Sequence, residues 1–145
     1  MLHASAVALE GRALLILGAP GAGKSTLALG MIALGATLVA DDRTTLEATA
    51  DGVSAAPAQG LEGLIEARGV GLLRLPHLAR APVACALDLD REEVERLPPR
   101  RNLLLLGWSI PLSLRPPRVD PAAMAALLRH GPPVDPEAPV SGPRS

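Results

Sequence analysis

Over the first 42 residues, the apolar positions follow a strand period, then a helix period, then a strand period again. Residues 5–11 (SAVALEG) alternate as in a strand, and residues 13–18 (ALLILG) form the continuous apolar run typical of a strand buried on both faces. Residues 23–34 have helical spacing with Gly35 as a stop, and residues 36–42 (ATLVADD) return to a strand pattern. This order predicts a βαβ-like unit with a glycine-rich loop before its helix.

Between residues 43 and 75, turn signals dominate the pattern. Residues 43–57 are predicted as a hairpin, because their Thr- and Leu-containing arms flank Asp51-Gly52, a strong two-residue turn signal. Residues 61–75 (LEGLIEARGVGLLRL) contain three internal glycines, which disfavour a helix. We expect a loop there, with polar residues between short apolar anchors.

The next segment is predicted to contain strands around a charged excursion. Residues 83–89 (VACALDL) are typical of a strand, and residues 90–99 (DREEVERLPP) are charged. Residues 102–116 predict one or two strands divided near Gly107. The apolar run in this segment is broken by Pro111 and is too short to span a bilayer.

A short helix and a tail are predicted at the end of the chain. Asp120 as N-cap, Pro121 in the first turn and Gly131 as the stop bracket the helix. Residues 131–145 contain five prolines and few apolar anchors, which predicts a disordered tail. The remaining residues 1–130 are predicted to form one domain, since 145 residues are too few for two domains of ordinary size.

Composition narrows the possible partners and the compartment. The chain contains one Trp and no Phe or Tyr, and its 14 basic and 15 acidic residues nearly balance. Without aromatic stacking platforms or a basic patch, we expect no nucleic-acid partner. The single cysteine, Cys85, is expected to be a small core residue in a reducing compartment. No signal peptide is predicted, so we expect a cytoplasmic protein without a membrane partner.

The loop before the first predicted helix has the clearest chemical signal. It matches G-x-x-x-x-G-K-[ST], in which backbone N–H groups and the lysine hold nucleotide phosphates. Lys24 is the only lysine among 14 basic residues, at the one position where a compact ammonium suits phosphates better than a planar guanidinium. The predicted phosphate-binding residues are Gly18, Ala19, Pro20, Gly21, Ala22, Gly23, Lys24, Ser25 and Thr26.

Nucleotide phosphates are normally bound with Mg²⁺, which needs oxygen ligands. Ser25 is the expected first protein ligand, and Asp41 and Asp42 at the end of the following strand are the next candidates. Adjacent carboxylates at a strand end are expected to point to opposite sides. We therefore expect one aspartate to orient the metal or its water and the other to face an incoming nucleophile.

Three motifs, taken in order, resemble the HPr kinase/phosphorylase family in its catalytic domain. LHAS places His3 21 residues before Lys24, as in that family, and GAPGAGKS and LVADD match its loop and its paired aspartates at its interval. EARGVGLL, residues 66–73, is similar to the family signature E-I-R-G-L-G. The resemblance extends over about residues 2–130 and is strongest in the first half of the chain.

The resemblance implies an α/β fold of the HPr kinase and phosphoenolpyruvate carboxykinase type, a P-loop kinase core with a mixed sheet and few helices. It implies a hexameric serine protein kinase that uses ATP and Mg²⁺ to phosphorylate the phosphocarrier HPr in regulation of the phosphotransferase system. Asp42 is the implied acceptor of the target serine's proton. The implied catalytic residues are His3, Lys24, Asp41, Asp42, Arg68 and Arg96, and the implied Mg²⁺ ligands are Ser25 and Glu66.

The chain also departs from the family. Thr26 and Ala67 replace the family's frequent Glu and Ile, and nothing resembles the family's N-terminal domain, which predicts a short form. Residues 111–118 (PLSLRPPR) match the family's basic loop only loosely, so phosphorolytic dephosphorylation stays open. A P-loop small-molecule kinase and a non-enzymatic nucleotide-binding regulator remain alternatives. A GTPase switch is disfavoured, because no Asn-Lys-x-Asp segment is present.

Overall fold

The computed structural model describes residues 1–136, which form ten strands and two helices. The strands are β1 (Leu2–Leu9), β2 (Arg12–Leu17), β3 (Thr37–Ala40), β4 (Arg43–Ala48), β5 (Val53–Pro57), β6 (Leu64–Ala67), β7 (Gly71–Arg74), β8 (Ala81–Glu92), β9 (Arg101–Leu105) and β10 (Trp108–Arg115). The helices are α1 (Lys24–Ala33) and α2 (Pro121–His130). Within these residues, no helix has the length and apolar character needed to cross a membrane. Most of the predicted tail, residues 137–145, lies outside the described part.

Eight strands form one mixed sheet, and its topology decides what comes together at its edge. The order is β2-β1-β4-β5-β8-β10-β9, with β3 also paired to β1 and β2 also paired to β8. Both β2 and β3 run antiparallel to β1, so they are parallel to each other with β1 between them. β8 runs parallel to β2 on its other side. The carboxyl ends of β2, β3 and β8 therefore lie at the same edge of the sheet.

The core lies on both faces of this sheet, as the apolar run of β2 predicts. Leu14 and Ile16 of β2 belong to the cluster packed against the helices, whereas Ala13 and Leu15 belong to the cluster on the opposite face. All four side chains have no exposed surface. Burial of alternate residues on both faces requires a continuous apolar sequence rather than an alternating one.

Several sequence-based predictions are confirmed. β4 and β5 form the hairpin around Asp51-Gly52, and residues 102–116 contain two strands separated at Gly107. Asp120 caps α2, since its Oδ1 accepts a hydrogen bond of 2.9 Å from the Ala122 N–H. Cys85 is a buried core residue, and burial raises the pKa of its thiol to about 11.

The expectation of a loop at residues 61–75 is wrong, because these residues form the β6–β7 hairpin. The turn between the strands is closed by a 2.9 Å hydrogen bond from the Val70 N–H to the Ala67 carbonyl. Gly69 has φ 78°, a conformation that glycine adopts without steric cost. The glycines are therefore signals of a tight turn rather than of a structureless loop.

The charged excursion after β8 is attached to the domain by an ion pair. The Glu93 carboxylate is buried, and it accepts hydrogen bonds from Arg101 Nη2 at 2.8 Å and Arg101 Nε at 3.2 Å. These hydrogen bonds are the main reason why the pKa of Glu93 lies below its ordinary value of 4.5.

Glu93 is expected to make the domain less stable in acid. Because the pKa of Glu93 is lower in the folded than in the unfolded chain, its stabilisation is fully present above about pH 4.5 and is lost as the pH falls through the folded-state pKa. The thermal midpoint of Glu93→Gln should lie below that of the unaltered chain at pH 7, and the two should converge in acid. Circular dichroism melts across this pH range measure the difference, with the exposed Glu92→Gln as control. A gap between the two midpoints that does not change with pH would contradict the assignment.

Candidate functional site

A pocket of about 330 Å³ lies where the loop between β2 and α1, the turn between β3 and β4, and the β6–β7 hairpin meet. We refer to residues 18–23 as the glycine-rich loop. The sheet topology explains the meeting, because β2 and β3 end at the same edge. The lining residues are Pro20, Gly21, Gly23, Lys24, Ser25, Thr26, Asp41, Asp42, Leu61, Leu64, Glu66, Arg68 and Leu72. A separate apolar cavity of about 280 Å³ beneath α2 contains none of the predicted site residues.

The glycine-rich loop delivers the start of α1 into this pocket. Gly21 and Gly23 have φ 85° and 103°, which a residue with a side chain rarely adopts. At Gly18 the restriction is one of space, because a Cβ there would lie only 2.9 Å from the Ala22 Cβ. The N-cap residue of α1 is Gly23, which has no side chain that could accept hydrogen bonds from the first turn. The first-turn N–H groups of α1 therefore remain available to an anion.

Lys24 is almost completely buried at the start of α1, with 4% of its side chain exposed. Its Nζ donates hydrogen bonds to the carbonyls of Gly18, at 2.7 Å, and Ala19, at 3.0 Å. It also lies 3.5 Å from Asp42 Oδ1. The ammonium is thus held inside the curve of the loop, where the pattern predicts the phosphates of a nucleotide.

The Asp41 carboxylate connects three elements that are distant in sequence. Its Oδ1 accepts hydrogen bonds from Ser25 Oγ on α1, at 2.7 Å, and from Ser5 Oγ on β1, at 2.8 Å. Its Oδ2 accepts from the Glu66 N–H on β6, at 3.1 Å. Asp41 therefore orients the Ser25 hydroxyl and attaches the β6–β7 hairpin to the pocket.

Asp42 has the more accessible of the two carboxylates, with 54% of its side chain exposed. Both aspartates line the same pocket, so the expectation that they point to opposite sides is wrong. The physical reason is that β3 ends at Ala40 and Asp42 adopts φ 63°, which breaks the alternation of a strand. Asp41 is directed to Ser25 and Asp42 to Lys24.

Of the other predicted site residues, two line the pocket and two do not. Glu66 and Arg68 are exposed and line the pocket, one on β6 and one in the turn that follows it. His3 is exposed on β1, opposite Arg43, and it does not line the pocket, although its neighbour Ala4 donates a 3.0 Å hydrogen bond to the Asp42 carbonyl. Arg96 is exposed in the excursion after β8 and is not among the lining residues.

Two residues that contact the site were missed by sequence reasoning. The Asp90 carboxylate accepts the Ala19 N–H at 3.0 and 3.1 Å, which fixes the start of the glycine-rich loop. The rule that selected Asp41 and Asp42, a carboxylate at the end of an apolar strand, could also have found Asp90. Ser5 carries no comparable signal, because it is one hydroxyl within an apolar strand.

The pocket offers hard oxygen donors suited to Mg²⁺. Within residues 1–136, no three His, Cys, Asp or Glu side chains gather into a metal-binding cluster. The Ser25 hydroxyl and the carboxylates of Asp41 and Glu66 nevertheless share the pocket wall. Mg²⁺ commonly uses one or two carboxylates together with substrate phosphates and water. The residues present therefore fit a metal that arrives with a nucleotide better than a protein-only cage.

Comparisons with known proteins identify the fold and the family of this chain. In three dimensions, the chain is similar to a solved HPr(Ser) kinase/phosphatase from Coxiella burnetii, with a TM-score of 0.77, 24% identity, and coverage of 88% of this chain and 92% of that chain. The fold is therefore that of this HPr(Ser) kinase/phosphatase, a mixed sheet with few helices.

Sequence comparisons define the family. Residues 1–79, more than half of the chain, match the profile of the HPr Serine kinase C-terminal domain. The chain belongs to this family. It is 50% identical to an HPr kinase/phosphorylase from Bordetella pertussis over 64 residues, which are 43% of this chain and 21% of that protein. It is 37% identical to the Lactococcus lactis subsp. lactis HPr kinase/phosphorylase over 91 residues, 61% of this chain and 29% of that protein. The matches thus span less than a third of these relatives.

Proposed function

We propose that this chain is a serine protein kinase domain that transfers the γ-phosphoryl group of ATP to a serine of an HPr-type phosphocarrier protein. The observation that carries the proposal is that Lys24 and Asp42 line the same pocket, with Lys24 Nζ 3.5 Å from Asp42 Oδ1. Lys24 also lies at the start of α1, whose first-turn N–H groups have no side-chain cap. A phosphate donor site and an accessible carboxylate are the two parts that phosphoryl transfer to a hydroxyl requires.

ATP would bind with its phosphates at the glycine-rich loop. In this proposal, the first-turn N–H groups of α1 and the Lys24 ammonium replace the phosphates' hydration, and Lys24 exchanges its bonds to the Gly18 and Ala19 carbonyls for phosphate oxygens. Ser25 and Glu66 would hold Mg²⁺, with Asp41 orienting the Ser25 hydroxyl. The metal would supply charge neutralisation at the phosphates.

Asp42 is proposed to accept the proton of the target serine. Its carboxylate is accessible, whereas the Asp41 carboxylate is occupied by three hydrogen-bond donors. As the serine oxygen attacks the γ-phosphorus, its proton passes to Asp42, and the bond to the ADP oxygen breaks. Arg68 lies at the same pocket and is suited to contact phosphate charge, while roles for His3 and Arg96 stay predictions from family resemblance.

The surroundings of the pocket favour a protein as acceptor. Leu61 and Leu72 line the pocket, and 39% and 67% of their surface is exposed. Val70, in the turn of the β6–β7 hairpin, is 76% exposed. Apolar side chains exposed beside polar groups are typical of a protein-contacting surface. They support an acceptor serine on a folded partner over a small molecule enclosed by a lid.

The reverse reaction, phosphorolytic dephosphorylation of HPr, is a separate part of the proposal. Residues 111–115, the start of the segment that loosely matches the family's basic loop, lie in β10. Phosphorolysis is therefore tested separately from transfer. A cytoplasmic location and a catalytic domain of residues 1–130 remain predictions from the sequence, and a hexamer is implied by the family resemblance alone.

The test is a two-stage phosphate transfer assay. The purified protein is incubated with γ-labelled ATP, Mg²⁺ and HPr, and excess inorganic phosphate is added afterwards. We expect label on HPr and none on an HPr variant whose target serine is alanine. Release of that label as pyrophosphate would show that phosphorolysis is retained. ATP that binds without labelling HPr would contradict the proposal and favour a nucleotide-binding regulator.

A further inference from the structure

Ser5 is a polar residue with no exposed surface inside strand β1, where its neighbours Ala4 and Ala6 belong to the apolar core. Its hydroxyl donates a 2.8 Å hydrogen bond to Asp41 Oδ1 and accepts a 3.1 Å hydrogen bond from the Asp42 N–H. A buried hydroxyl is costly unless its hydrogen bonds are made, and here both partners are the paired aspartates of the site.

The bond to the Asp42 N–H stabilises an uncommon backbone conformation. Asp42 has φ 63°, which residues other than glycine adopt only when surrounding contacts enforce it. Strand β1 holds the residue at both of its peptide groups, since Ser5 accepts from its N–H and the Ala4 N–H donates to its carbonyl at 3.0 Å. This conformation directs the Asp42 carboxylate toward Lys24.

The hydrogen bond from Ser5 to Asp41 helps to hold the Asp41 carboxylate in place, so that it is not available to accept a proton. Ser5 and Ser25 both donate to Asp41 Oδ1, and the Glu66 N–H donates to Oδ2. Within the described residues, the charged group that the Asp42 carboxylate meets is Lys24. One hydroxyl therefore contributes to two different states, an engaged Asp41 and an accessible Asp42.

We infer that Ser5 is a positioning residue that gives the two aspartates separate roles, with Asp41 orienting Ser25 and Asp42 free to accept the proton of the incoming hydroxyl. This inference rests on the proposed function, because the value of an accessible Asp42 depends on a transfer reaction. Ser5 itself does not touch the nucleotide side of the pocket, which is lined by Lys24 and the glycine-rich loop.

Ser5→Ala tests this inference with three readouts. The kcat of transfer to HPr should fall by about 10- to 100-fold, because small displacements of a reacting group are costly. The Kd for a fluorescent ATP analogue should change less than about threefold, since the loop and Lys24 are untouched. The Asp42 amide should exchange with solvent at least about tenfold faster, because its acceptor is gone. Ser5→Cys, whose thiol is somewhat larger than the hydroxyl and a weaker hydrogen-bond donor and acceptor, should give an intermediate kcat even if Ser5→Ala folds poorly.

Thr44→Val is the matched control. Thr44 is another fully buried hydroxyl, on β4, and it donates a 2.8 Å hydrogen bond to the Ala4 carbonyl rather than to either aspartate. We expect a lower thermal midpoint with kcat within about twofold of the unaltered chain. Equal loss of kcat in Thr44→Val and Ser5→Ala would overturn the inference, as would an unchanged kcat in Ser5→Ala. If the unaltered chain transfers no phosphate, the proposed function fails, and unchanged Asp42 amide exchange in Ser5→Ala then overturns the positioning role independently.

Discussion

Asp42→Asn is expected to abolish phosphoryl transfer to a protein serine while ATP binding is preserved. The amide has nearly the size of the carboxylate but cannot accept the hydroxyl proton, so the rate should fall by about 10²- to 10⁴-fold. The backbone should tolerate the change, because Asn is among the residues that adopt the left-handed conformation seen at Asp42. Loss of the negative charge 3.5 Å from Lys24 should leave ATP affinity unchanged or slightly higher.

The experiment compares single-turnover transfer and ATP affinity in the same preparations. Asp51→Asn, in the exposed turn of the β4–β5 hairpin, makes the same chemical change away from the pocket and should behave as the unaltered chain. Transfer that survives in Asp42→Asn at more than about a tenth of the normal rate would show that another group accepts the proton.

Lys24→Met is expected to weaken ATP binding strongly and, with it, to reduce transfer. A charge-assisted hydrogen bond contributes about 1.5–3 kcal/mol, so loss of the ammonium should weaken ATP binding by about 10- to 100-fold. Lys24→Arg should fail as well, although it keeps the charge. The buried ammonium sits between the Gly18 and Ala19 carbonyls at 2.7 and 3.0 Å, and a planar guanidinium cannot occupy that position without moving the loop.

Arg80→Met is the control for a simple loss of positive charge. Arg80 is an exposed cation 3.7 Å from Glu47, and its replacement should not change ATP affinity. Thermal melts must accompany the titrations, because removal of Lys24 also leaves two loop carbonyls without their donor. ATP affinity retained in Lys24→Met would contradict the assignment of the glycine-rich loop as the phosphate site.

Much of the fold could be predicted from the sequence where the signal is local. The apolar run of β2, the helical spacing of α1 and the Asp120 cap of α2 each depend on residues within a few turns of one another. Such elements are determined by periodicity and end signals, and the structure confirms them. The β6–β7 hairpin is not predicted from the sequence, because glycines disfavour regular structure in general, whereas here they lie in and beside the turn between two short strands.

The candidate site divides in the same way. The motif of the glycine-rich loop lies in one contiguous segment, so Lys24 and Ser25 could be selected without coordinates. The hydrogen bond from Ser5 to Asp41 spans 36 residues, and that from Ala19 to Asp90 spans 71. Neither contact has a local sequence signal, because each depends on which strands become neighbours.

By itself, the sequence determined a glycine-rich loop before a helix, a pair of aspartates after the next strand, and the resemblance to a known family. Tertiary structure decided that both aspartates face one pocket, that Ser5 contacts both, and that Asp90 fixes the loop. The physical reason is the order of the sheet. Strand β1 lies between β2 and β3, and β8 lies on the other side of β2. Residues far apart in sequence therefore meet at one edge of the sheet, where their polar groups form hydrogen bonds with one another.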